Sequence, residues 1–132
     1  MLSYLVVALG GALGSVTRFW VSGFVARRIG ESFPWDTLLV NVSGSFVIGF
    51  FATLTGPAGR WLVSPTFRQF FMIGACGGYT TFSAFSLQTL TLFEEGEWFR
   101  AGSNTALSVL LCLLGVWLGA LLASTLASMR GH

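Results

Sequence analysis

Long uncharged stretches alternate with short polar ones along this 132-residue chain. Charges are absent from Thr37 to Gly59, from Gln69 to Phe93 and from Ala101 to Met129. Each run exceeds the ~20 residues a helix needs to span a bilayer. The first segment, Leu2 to Ala26, is apolar apart from Arg18. It lacks a basic leader and a small-residue cleavage site, so it reads as a span rather than a signal peptide. The pattern predicts an all-α membrane protein. It forms a single domain over residues 1–132, with spans at about 2–26, 37–56, 66–93 and 100–127. The links are short and hold most of the charge. Trp35, Trp61 and Trp98 sit near span ends, where an indole suits the headgroup region.

Composition supports the bilayer as the main solvent. The chain is 54% hydrophobic and 9% charged, against roughly 25% charged in soluble domains. A soluble globule this small could not bury that much apolar surface. The net charge is +2 and all the basic residues are dispersed arginines, which gives no nucleic-acid footprint. Cys76 and Cys112 lie in apolar stretches without a CxxC pattern, as small buried side chains would. No Asp, Glu, Lys or His falls inside a span, and the sole histidine is His132. No nucleophile–base pair or hydrolase motif appears, so the chain is not expected to be an enzyme. Proton-coupled transport would also lack its usual intramembrane titratable group.

Arginine gives no preferred orientation. Four spans put Arg60, Arg68 and Arg130 on one side and Arg27, Arg28 and Arg100 on the other. The positive-inside rule is therefore balanced. Either the bias is weak, or the chain inserts both ways and pairs as an antiparallel dimer, the two-chain equivalent of an inverted repeat. Small residues at Gly10 and Gly14, Gly11 and Ser15, and Gly115 and Gly119 permit close helix approach within the chain or between copies.

The densest polar cluster lies in the third span, from Gly77-Gly78 through Tyr79-Thr80-Thr81-Phe82-Ser83-Ala84-Phe85-Ser86. Paired glycines cost a helix roughly 1 kcal/mol each relative to Ala, so a break is expected there. Backbone unwound at that depth needs protein, water or ions as partners. Phe82 and Phe85 share a helix face. Their rings could pack as ordinary core or present positive edges to a small anion. Asn41 shares a face with Thr37, Gly44 and Ser45. It could bond another helix or donate to an anion as a neutral ligand. Asn104, Ser108 and Cys112 form a stripe on the fourth span, either pore wall or interhelical glue. Arg18 could snorkel to the interface or sit at a water-filled vestibule that attracts anions.

At these residues the sequence resembles the Fluc (CrcB-type) fluoride channels of microbial membranes. The match runs through all four spans. It includes Gly10-Gly11-Ala12-Leu13-Gly14 with Arg18, Thr37 to Gly44, and Gly77 to Ser86, the last string being the most specific. The resemblance implies a dual-topology homodimer in the bacterial inner membrane with two antiparallel fluoride pores and passive export. It also implies a structural Na⁺ on the two-fold axis, held by the main-chain carbonyls of Gly77 and Thr80. Asn41, Phe82, Phe85, Ser83 and Ser108 correspond to pore positions, and Arg18 to the vestibule. Ala84 stands where the family often has Ser or Thr, and Cys112 where it can have a hydroxyl, which leaves the continuity of the polar track open but not the assignment. The alternative is a small four-helix multidrug or cation transporter, also often of dual topology, although its membrane carboxylate is missing here. A structural membrane subunit is a third reading.

Overall fold

The computed structural model describes residues Met1–Arg130, so His132 lies outside the described residues. Four helical spans cross the length of the molecule, and the third is interrupted. Helix α1 (Leu2–Ile29) carries Arg27 and Arg28 in its last turn, where cations complement the negative end of the helix dipole. It stops at Gly30, whose φ of 98° suits glycine, with the Gly30 N–H donating to the Ala26 carbonyl at 2.9 Å. Helix α2 (Trp35–Leu54) follows Pro34 and has Asp36 in its first turn.

The third span runs from Pro65 to Glu94 in four pieces. Helix α3 (Pro65–Arg68) starts at Ser64, whose hydroxyl accepts from the Phe67 N–H at 3.1 Å, with Pro65 at the first helical position. The chain then widens into a π-helix over Gln69–Cys76 and tightens again in α4 (Gly77–Tyr79). Thr80 and Thr81 are extended. Helix α5 (Phe82–Glu94) restarts behind the Thr81 hydroxyl, which accepts from the Ala84 N–H at 3.1 Å. A turn at Gly96, φ 77°, leads into α6 (Trp98–Met129).

The interruption is thus not at the glycine pair. Gly77 and Gly78 are helical, and the helix opens two residues later at the threonines. The glycines serve packing instead. A Cβ on Gly78 would lie 2.6 Å from the Gly11 carbonyl oxygen, and one on Gly74 would lie 2.9 Å from the Gly10 Cα. These small residues seat α1 directly against the third span. On the other side α2 packs along α6, where a Cβ on Gly119 would collide with the Phe46 carbonyl and one on Gly49 with that of Val116. The pairs Gly10–Gly14 and Gly115–Gly119 therefore face neighbouring helices of the same chain.

The interior is thin. Val25, Leu38, Val40, Phe51, Leu54 and Leu92 are buried, and the Phe51 and Phe71 rings meet at 4.3 Å. Large apolar side chains such as Leu13, Phe19, Trp20 and Trp117 face outwards, as lipid-facing residues do.

Candidate functional site: an uncharged groove at the helix interruption

An extended dipeptide inside a span strands its own amides and carbonyls. Here Asn41 of α2 supplies the partners. Its Nδ2 donates to the Thr81 carbonyl at 2.9 Å, and its Oδ1 accepts from the Thr81 N–H at 2.8 Å. One primary amide thus replaces both helical bonds that Thr81 has lost. Gly44, one face-repeat further along α2, lets the helix close on the break: a Cβ there would collide with the Thr80 methyl and lie 3.1 Å from the Tyr79 ring. Tyr79 is held by its hydroxyl, 2.9 Å from Ser43 Oγ. The Ser43 proton goes to the Val40 carbonyl at 3.1 Å, so Tyr79 is the donor of that pair.

The carbonyls ahead of the break differ in their partners. That of Cys76 accepts from both the N–H and the hydroxyl of Thr80, each at 3.0 Å. That of Gly78 accepts from Arg18 Nε at 3.2 Å and from Ser15 Oγ at 3.5 Å. No hydrogen bond among the described residues ends on the carbonyl of Gly77 or Thr80. Arg18 is therefore half-buried against the end of α4, with its side chain turned to the backbone of the break. Its guanidinium complements the negative end of that short helix.

Beside the break runs an apolar groove of about 440 Å³. Asn41, Gly77, Thr80, Phe82, Phe85 and Ser108 line it, together with Cys76 and Cys112. No charged side chain contributes. The Phe82 and Phe85 rings lie 5.4 Å apart between centroids and tilted by 50°. Phe82 is 77% exposed in the single chain. The structure thus brings together Asn41, Phe82, Phe85, Ser108, Gly77 and Thr80. Ser83 is not among the lining residues; it is exposed, with its hydroxyl 3.3 Å from that of Thr81. Arg18 is likewise outside the groove wall. Among the described residues no three His, Cys, Asp or Glu side chains gather as a metal cluster.

The CrcB-like protein family, described as camphor resistance (CrcB), matches residues 5–120, a stretch that takes in every part of this site. The chain belongs to the CrcB-like family. Several CrcB-like relatives are similar over nearly their whole length. The fluoride-specific ion channel FluC of Rhodospirillum rubrum is 64% identical over 89% of this chain and 92% of its own. That of Opitutus terrae is 62% identical over 97% of each chain. That of Methylocella silvestris is 58% identical over 98% of this chain and 99% of its own. Together with four helices long and apolar enough to cross a membrane, this makes the chain a multi-pass membrane protein.

Two features of this CrcB-like chain escape a reading of single spans. Thr89 joins Asn104 across the α5–α6 hairpin, with Asn104 Nδ2 donating to Thr89 Oγ1 at 3.0 Å. The signal was present, because the two polar residues lie about equally far from the turn at Gly96. The contact of Arg18 with Gly78 carries no such signal, since nothing in the spacing says which helix faces α1.

Proposed function

We propose that the chain is a fluoride-selective channel of the bacterial inner membrane, working as an antiparallel homodimer with two pores. The observation that carries the reading is the gathering of Asn41, Phe82, Phe85 and Ser108 on one groove without a formal charge. Fluoride is small and strongly hydrated, so entry requires substitute donors. Hydroxyls, an amide and the positive edges of phenyl rings supply them. None carries a full charge, so the ion is not held too tightly to leave. With no acidic, basic or histidine side chain in the groove, movement is passive. A cell interior negative by 100 mV drives an anion outward by about 2.3 kcal/mol. The names of the relatives, fluoride-specific ion channels, support the same substrate.

The antiparallel dimer is supported by the balanced arginines, and Phe82, which lines the uncharged groove yet is largely exposed in the single chain, gives a second copy a wall of the path to complete. The proposed Na⁺ fits the residues present. The carbonyls of Gly77 and Thr80 are free of hydrogen bonds, and Gly77 is exposed in the single chain. A hard cation suits such oxygen donors. When bound it would neutralise the carbonyls that two facing helix ends present to each other.

Fluoride efflux from proteoliposomes, read with a fluoride electrode, tests the channel. Wild-type protein is expected to release fluoride rapidly and to exclude chloride. Phe82→Ile and Phe85→Ile are each expected to lose most of the flux while purifying with the wild-type oligomeric state. Equal chloride flux, or normal fluoride flux in both variants, would count against the reading. Proton-coupled efflux of a hydrophobic cation would favour a multidrug transporter instead.

A further inference from the structure

Thr89, half-buried, and Asn104 and Ser108, both buried, form a chain of hydrogen bonds beside the groove. Its first link is fixed by proton count. The Thr89 hydroxyl donates to the Phe85 carbonyl at 2.8 Å, which uses its only proton. Thr89 Oγ1 can then only accept, and Asn104 Nδ2 donates to it at 3.0 Å. That orients the Asn104 amide, whose side chain is 1% exposed. Its Oδ1 is left facing Ser108 Oγ at 3.4 Å. An amide oxygen carries no proton, so Ser108 is the donor of this pair. The Ser108 proton thus points into the protein, and the groove meets oxygen lone pairs. The distance is long against the ~2.7–2.8 Å usual for O–H···O bonds, so the proton is held loosely.

We infer that Asn104 is a positioning residue that parks the Ser108 proton between ions and yields it to an anion entering the groove. The inference rests on the reading of the groove as a fluoride path. No covalent bond changes: the proton stays on Ser108 Oγ, and only the hydroxyl rotates, from Asn104 Oδ1 towards the anion. Fluoride is the strongest hydrogen-bond acceptor among the halides and competes best with an amide oxygen. The exchange therefore favours fluoride over chloride without adding a charge.

Initial efflux rates from liposomes, taken against internal fluoride concentration, test this with N104A, T89V, S108A and N104A/S108A. N104A removes the competing acceptor. T89V keeps the shape but removes the anchor, so the amide can turn. Both are expected to lower the half-saturating fluoride concentration threefold or more. N104A is expected to cause no further shift in the S108A background. Half-saturation within twofold of wild type in both N104A and T89V would overturn the proposal. So would a loss of maximal flux alone, or the same shift without Ser108. If neither variant purifies as monodisperse protein, Asn104 is a structural anchor and the proposal falls. Wild-type liposomes without fluoride flux would instead sink the channel reading, and this inference with it. With wild-type flux intact, every result bears on Asn104 alone.

Discussion

A primary amide is the side chain that best imitates a peptide group, and Asn41 is used as one. It satisfies the N–H and the C=O of Thr81 together, at 2.8 and 2.9 Å. Truncation to Ala would strand both. Interhelical hydrogen bonds in membranes average roughly 0.6 kcal/mol and reach about 1.7, so Asn41→Ala is expected to cost about 1–3 kcal/mol. Thermal unfolding in detergent should show a melting temperature several degrees below wild type, and the liposomes should have lost most of their fluoride flux. A melting curve identical to wild type for Asn41→Ala would remove the clamp from the account. The sequence marked Asn41 as an expensive buried amide but left its partner open. Spacing along α2 says which residues share its face and nothing about what that face meets. Only the fold brings Thr81, forty residues away, into reach.

At the scale of elements, glycine decides which helices touch. Helices α2 and α6 meet at Gly49, Gly115 and Gly119, where there is room for hydrogen and little else. A methyl at Gly119 would press on the Phe46 carbonyl, which is backbone and cannot swing away. Overpacking of this kind costs roughly 1–3 kcal/mol. Gly119→Ala is therefore expected to lower thermal stability clearly. Gly102→Ala, where a Cβ meets nothing within 4 Å, should leave it unchanged or raise it by up to about 1 kcal/mol through helix propensity. The reverse ranking in a melting experiment would contradict the packing described. The four spans were legible because bilayer thickness dictates run length, and a charge-free run is visible without knowing its neighbours. The position of the break was legible only to within a few residues. Glycine propensity points to Gly77 and Gly78, but close packing against Gly11 keeps those two helical. The opening moves to Thr80 and Thr81, where Asn41 and the capping Thr81 hydroxyl offer partners that propensity does not count.

At the scale of the molecule, the single chain leaves parts of the proposed site without a partner: Phe82 is largely exposed, and the carbonyls of Gly77 and Thr80 accept no hydrogen bond. If oppositely inserted copies complete these sites, arginine balance becomes a functional property. Arg27, Arg28 and Arg100 oppose Arg60, Arg68 and Arg130 across the membrane, and orientation follows the difference between the two sets. R27Q/R28Q tips the difference one way, and R60Q/R130Q tips it the other. None of the four arginines touches the groove. Each double variant alone should insert in one orientation only and form no antiparallel pairs. Membrane vesicles from cells making either one should then show little fluoride efflux. Vesicles from cells making both should recover much of it, because each supplies the orientation the other lacks. The proposed axial site further predicts that purified wild-type dimers resist dissociation better in Na⁺ than in K⁺, since carbonyls from Gly77 and Thr80 around one ion would select by cavity size and ligand number. Full efflux from either double variant alone would mean that one orientation suffices. In that case the exposed face of Phe82 meets lipid or a parallel neighbour, and the central cation loses its two-fold site.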